Sequence, residues 1–306
     1  MKPALHFIVI MLYGLFLIGC SKYDDPHNYT PQIEHVVFIG IDGWDSSSFG
    51  DANIPTIKYF KENGFWTLKK RSVLPSSSGP NWTTIFTGLG VEQHGYTDWG
   101  SVTPEIPSMY TDEKGNVPTF FSILKKQNIN NEIGFVCEWE TLKNYIDSTS
   151  VDYFQCFDQS KPDAIFNGAV DYIIEKNPKL FAFIIDQLDH TGHQYGWDSM
   201  EYISKLEEID SKLSRIVEAT NQAYKNENTV FVLLSDHGGI GKEHGGKTIN
   251  EVETPFIIYG PGIKREECKL PIMQYDVASY MVSLLGLKQP YYWIGRINNF
   301  WKETYD

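Results

Sequence analysis

Five short runs of this chain are apolar without alternation: "HVVFIGID" (35–42), "EIGFVCEW" (132–139), "LFAFIIDQ" (180–187), "TVFVLLSD" (229–236) and "TPFIIYG" (254–260). A strand with one wet face alternates apolar and polar side chains, whereas a continuous β-branched and aromatic run has both faces covered. Helical patterns lie between the runs, at "DAIFNGAVDYIIEKN" (163–177) and "SMEYISKLEEIDSKLSRIVEATNQAYKN" (199–226). The second puts Tyr202, Leu206, Ile209, Leu213 and Ile216 on one face and its charges on the other. A last pattern, "PIMQYDVASYMVSLLGL" (271–287), stops at Gly286. Strand–helix alternation of this kind predicts an α/β fold, a mostly parallel central sheet with helices on both faces.

In such sheets functional groups gather at the carboxyl ends of the strands. Asp42 closes the first run, Asp189 follows the third, and Asp236 and His237 close the fourth. Alone, an Asp at a strand end is a helix cap, and a lone His is a hydrogen-bonded core or surface residue. Carboxylates gathered at one edge, however, repel one another and take up protons unless a cation neutralises them. The segment "SDHGGIGKEHGGK" (235–247) adds His244, and "DHTGH" (189–193) adds His193. Imidazole together with carboxylate suits zinc, and less specifically manganese. Two sets of three follow, Asp42 with Asp236 and His237, and Asp189 with His193 and His244. Each leaves room for a substrate oxygen or water. His190, beside Asp189, points elsewhere in this reading, and His94 in "EQHG" is a pocket residue without an assigned role.

A two-metal site that cleaves phosphate esters uses water or a side-chain oxygen as nucleophile. The stretch "SVLPSSSGPNWTTIFTGLG" (72–90) places Ser76, Ser77 and Ser78 just before a helix with Pro80 in its first turn. A hydroxyl there sits in the positive field of the helix start, where an incoming phosphate is also favoured. Ser-rich segments before Pro are otherwise ordinary N-caps, so this assignment depends on the metal residues.

"HVVFIGIDGWD", "SSSGPNWTTIFTGLGVEQHG", "DQLDHTGHQYG", "SDHGG" and "EHGG", in this order, resemble the alkaline phosphatase superfamily, in its type I phosphodiesterase/nucleotide pyrophosphatase branch. The resemblance runs from residue 35 to about 290 and implies an alkaline-phosphatase-like fold and a pair of zinc ions. It implies that Asp42, Asp236, His237 and the nucleophile share one metal, and that Asp189, His193 and His244 share the other. It also places the nucleophile at Ser78, with Ser77 as the alternative, and a phosphate-contacting amide at Asn81. The expected activity is metal-dependent hydrolysis of a small phosphate ester.

Two departures stand out. Nucleotide-cleaving members carry an aromatic residue after the nucleophile, and here it is Gly79. His244 follows His237 by only seven residues, sooner than in larger members. The segment 96–131 forms either a pocket wall or a plain surface loop. A sulfatase requires Arg two residues after the Pro of its motif, and Ser78-Gly79-Pro80-Asn81-Trp82 ends in Trp. A phosphomonoesterase or phosphonate hydrolase on the same scaffold has no such signature to exclude it. A surface nutrient-binding lipoprotein is the rival from another class, and it has no need of a complete metal set and a nucleophile together.

The net charge of −13, with no long basic run, argues against a nucleic-acid surface. At the N-terminus one Lys precedes an apolar run ending Leu17-Ile18-Gly19-Cys20, which resembles a bacterial lipobox. Residues 1–19 then read as a lipoprotein signal peptide, 20–34 as a polar tether lipid-anchored through Cys20, and 35–306 as one catalytic domain. The rivals are an ordinary signal peptide or an uncleaved anchor, for which the apolar run is short. Cys137, Cys156 and Cys268 match no zinc spacing and read as small buried apolar residues. Nothing in the sequence sets an oligomeric state.

Overall fold

The computed structural model describes residues 33–224 and 228–302. The signal-like segment 1–19, Cys20 and most of the tether lie outside the described residues. Among the described residues one sheet holds β1 (His35–Ile41), β2 (Phe65–Arg71), β3 (Ile133–Cys137), β4 (Tyr153–Cys156), β5 (Leu180–Ile185), β6 (Thr229–Leu234), β7 (Glu253–Tyr259) and β8 (Glu266–Glu267). Their spatial order is β4-β3-β5-β1-β6-β7-β2-β8. From β4 across to β6 every pairing is parallel. Every residue of β5 and β6 is buried, as unalternating apolar runs require.

Helices cover both faces. One face packs against Pro55–Asn63, Ala164–Lys176 and Met200–Tyr224, through residues such as Phe60, Phe166 and Leu206. The other packs against Ser78–Thr87, Phe120–Gln127 and Asp276–Leu284, through Phe86, Phe120 and Tyr280. β1 lies between β5 and β6, so the carboxyl ends of these three strands are neighbours. This is where the chain order reverses and where such sheets bind ligands.

The run 254–260 differs from the parallel expectation, because β7 pairs antiparallel with β6 and with β2. The connection 235–252 stays at the carboxyl edge, carrying Asp236, His237 and His244, so β7 enters from that edge and runs back. β2, β4 and β8 had no continuous apolar signature. β2 carries "KKR", β4 is the short edge strand, and β8 is two glutamates.

Candidate active site

Asp42 follows β1, and its N–H bonds Ile185 O at 2.8 Å, which ties it to the end of β5. The chain then turns at Gly43, whose φ of +69° favours glycine. Gly43 N–H donates to Asp236 Oδ1 at 3.2 Å, joining the ends of β1 and β6. His237 Nε2 lies 3.4 Å from Asp42 Oδ1 and 3.4 Å from Asp236 Oδ2. Ser78 Oγ is 3.0 Å from the same nitrogen. His237 Nε2 thus lies near both carboxylates of the first sequence-derived set, with the serine hydroxyl beside it.

The helix Gln187–Tyr195 carries Asp189 in its first turn and His193 four residues on, one above the other on the same face. His193 Nε2 is 3.4 Å from Asp189 Oδ2, and His244 Nε2 is 3.8 Å from Asp189 Oδ1. The His244 ring stacks on His237, centroids 3.9 Å apart, so the two sets adjoin. Asp189, His193 and His244 offer ligand atoms within 4.8 Å of one another, and so do Asp42, Asp189 and His237. Asp189 is buried and His193 exposed, so the second set faces solvent.

All three imidazoles are braced alike. Nδ1 lies 2.9 Å from Gly238 O in His237, 2.8 Å from Lys242 O in His193, and 3.2 Å from Ser76 O in His244. A carbonyl only accepts, so the proton sits on Nδ1 and the Nε2 lone pair faces the carboxylates. Asp189 Oδ1 and Asp236 Oδ2 are buried without a hydrogen-bond partner, a costly arrangement unless each meets a cation. Burial, then repulsion from neighbouring carboxylates, holds Asp42 and Asp189 well above the usual carboxylate range. Burial pushes Asp236 up to about 6 and pulls His237 and His244 down to about 3. Acids that resist ionising beside neutral imidazoles with inward lone pairs form a donor set that fits divalent cations.

Ser78 is the first residue of the helix Ser78–Thr87, after an extended Ser77. The first-turn N–H of Gly79 has no intrahelical partner. A Cβ on Gly79 would lie 2.3 Å from Asp98 O and 3.0 Å from Trp99 O. This part of the 96–131 segment therefore presses its backbone against the neighbour of Ser78 and walls the site.

Asn81 departs from its expected role. Its Nδ2 donates to Val73 O (3.3 Å), Pro75 O (3.0 Å) and Ser77 O (2.9 Å), and its Oδ1 accepts from Val73 N–H. Both amide protons are engaged by backbone carbonyls, so the side chain clamps the 73–77 loop and has no donor left for a phosphate oxygen. His94 is also structural, 3.0 Å from Thr84 Oγ1 and accepting from Tyr96 N–H. His190 is exposed.

Three residues were missed. Trp82 Nε1 donates to Asp42 Oδ2 at 2.8 Å. Glu138 accepts from Asp186 N–H and Gln187 Nε2, bracing the start of the helix that carries Asp189. Asp186, at the end of β5, is pushed up to about 7 by burial and by Glu138 and Asp236. The available signals were a Trp in a polar helix start and acids directly after the strands in "CEW" and "IIDQ".

Residues 36–251 match the model of the type I phosphodiesterase/nucleotide pyrophosphatase family. Human ectonucleotide pyrophosphatase/phosphodiesterase family member 1 is 26% identical over 73% of this chain and 26% of its own length. GPI ethanolamine phosphate transferase 1 of Saccharomyces cerevisiae is 25% identical over 47% of this chain and 18% of its own. The chain spans about a quarter of the length of the first of these relatives. Among solved structures, murine ectonucleotide pyrophosphatase/phosphodiesterase 5 in complex with AMP superposes with a TM-score of 0.67 at 17% identity, covering 83% of this chain and 96% of that one. A 2-O GAG sulfatase reaches 0.69 at 14% identity, covering 86% and 73%. Those structures share the alkaline-phosphatase-like fold, and the family model spans most of the sequence. The chain therefore belongs to the type I phosphodiesterase/nucleotide pyrophosphatase family.

Proposed function

We propose that this protein hydrolyses small phosphodiesters with Ser78 as nucleophile. Two divalent cations, zinc by preference over manganese, would be held by Asp42, Asp236, His237 and Ser78 and by Asp189, His193 and His244. The observation that carries this reading is the place of Ser78 Oγ, 3.0 Å from a histidine nitrogen that itself lies 3.4 Å from two carboxylates. A hydroxyl inside a metal-ligating set has little other use. Cations bound there supply Lewis acidity, lowering the hydroxyl pKa and neutralising charge on the phosphate.

The chain's own groups do the rest. Ser78 Oγ attacks phosphorus in line as the leaving alkoxide departs and takes up the serine proton, and water later cleaves the resulting seryl phosphodiester to release the phosphate monoester. The Gly79 N–H in the first turn of the helix would donate to a non-bridging phosphate oxygen. The wall formed by Asp98 and Trp99 stands where a stacking side chain at position 79 would project, so position 79 offers no platform for a nucleobase.

The relatives named as transferases support a second reading, in which an alcohol takes the place of water at the seryl phosphodiester. The lipobox-like ending at Cys20 supports export and anchoring of the mature protein to a bacterial membrane by lipid. Release of a Cys20→Ala protein from the membrane fraction is the expected result, and its retention would end that proposal.

The test compares p-nitrophenyl phosphodiesters, the phosphate monoester, an aryl phosphonate and an aryl sulfate on zinc-loaded protein, with and without EDTA. Preferred diester turnover that EDTA abolishes is expected. Preference for the monoester, phosphonate or sulfate would reassign the substrate class. Transfer to an added alcohol would favour the transferase reading. No turnover and no retained zinc would leave the nutrient-binding lipoprotein.

A further inference from the structure

Three basic residues stand together at 69–71 in β2, and the fold buries the middle one completely. Lys70 is 0% exposed, Lys69 is exposed, and Arg71 pairs with Glu253 at 2.9 Å. The cause is a bulge. The register with β7 runs Thr67↔Phe256 and then Lys70↔Thr254, so β2 has one residue more than its partner between those pairs. Unbroken alternation would turn Phe65, Thr67 and Lys69 inward, and the extra residue gives the last of those places to Lys70.

Lys70 Nζ donates to Ser235 O at 2.9 Å and to Gln274 Oε1. Gln274, also fully buried, donates from Nε2 to Asp236 O at 2.6 Å, and Ser72 Oγ donates to the same oxygen at 2.6 Å. Three buried side chains thus hold the carbonyls of the two residues that precede His237. A buried ammonium with no carboxylate in hydrogen-bond contact is expensive. Burial pulls Lys70 down to about 7, while the charges of Asp236 and Asp276 hold it up. The three side chains engage the Asp236 segment of the site and leave its ligand atoms free.

We propose that Lys70, with Gln274 and Ser72, is a positioning residue for the metal set Asp42–Asp236–His237–Ser78 and does not serve the set Asp189–His193–His244. The inference rests on the two-cation reading above. The second set is braced independently, through Lys242 O and Ser76 O. Fixing the backbone at Ser235 and Asp236 presets the Asp236 carboxylate and the His237 ring before a cation arrives, so its removal costs affinity at that set alone.

The test is zinc titration of metal-stripped protein against a chromophoric chelator, the two binding steps being assigned with His193→Ala and His237→Ala. Lys70→Met keeps the length and removes the donors. The expected result is a loss of roughly ten- to a hundredfold in affinity for one ion. The ion at the set containing His193 stays within about twofold and reports on folding in the same sample. Gln274→Leu removes one of the two donors to Asp236 O without touching the Lys70–Ser235 bond, and a selective loss at the same ion is expected if Lys70→Met does not fold. Weakening of both ions alike, or of neither, overturns the proposal while leaving the two-cation site intact. A wild-type chain that holds fewer than two zinc ions sinks both.

Discussion

The indole Nε1 of Trp82 donates to Asp42 Oδ2 at 2.8 Å, while Asp42 Oδ1 lies 3.5 Å from Ser78 Oγ. Ser78 and Trp82 are four residues apart on one helix and so share a face. One carboxylate therefore receives both the hydroxyl and its own brace from the same helix. The close packing depends on Gly40 in β1, where a Cβ would lie 2.3 Å from the Trp82 ring.

Trp82→Phe keeps most of the bulk and removes the N–H, leaving Asp42 Oδ2 buried and unpartnered. A hydrogen bond to a charged group contributes about 1.5–3 kcal/mol. Diester kcat/KM is expected to fall roughly tenfold or more, with cooperative unfolding retained. A change within about twofold would show that Asp42 holds its orientation without the indole.

Ser78 and Ser77 are separated by their surroundings. Ser78 Oγ faces Asp42 and His237, whereas Ser77 contributes a backbone carbonyl to Asn81 Nδ2 and stands just before the helix. Ser78→Ala is expected to lower kcat by roughly a thousandfold or more with zinc still retained. Ser77→Ala is expected to change kcat only slightly. The reverse order in steady-state assays would move the nucleophile to Ser77.

Gly79→Ala tests the wall over the site. The new methyl meets two backbone carbonyls, which cannot swing aside as a flexible side chain does. Overpacking of this kind costs about 1–3 kcal/mol, so the urea midpoint is expected to drop and diester turnover with it. Unchanged stability would mean that the 98–99 segment is free to retreat.

Much of this arrangement was legible in the sequence because its signals are local. Continuous apolar runs marked β1, β3, β5, β6 and β7, and the acids that close three of them marked the edge where a cation fits. The direction of β7 was not legible, since it depends on the 235–252 connection staying at one edge of the sheet. Lys70 was hidden because a bulge, not a period, turns it inward. Asn81 shows the limit of carrying a role over by motif. The residue is where the pattern puts it, but its amide protons are already engaged by the loop that presents Ser78.

His94 gives the protein a dependence on acid that does not involve the cluster around Asp42, Asp189 and Asp236. Its Nδ1 accepts from Tyr96 N–H at 3.1 Å, so the proton is on Nε2, beside Thr84 Oγ1, and a second proton would break the Tyr96 bond. Burial holds the ring neutral and pulls its pKa down to about 3. In the unfolded chain it titrates near 6.5. Between those values the unfolded state binds more protons than the folded state, so stability is highest above 6.5 and falls as the pH drops toward 3. From pH 7 to pH 5 this one group removes about 2 kcal/mol. Asn keeps an oxygen near the Nδ1 position and does not titrate. In urea titrations with EDTA present, His94→Asn is expected to be less stable than wild type at pH 7 but to lose about 2 kcal/mol less on going to pH 5. Other groups titrate alike in both proteins and cancel in the difference. Equal losses would show that the folded His94 accepts a proton as readily as the unfolded one.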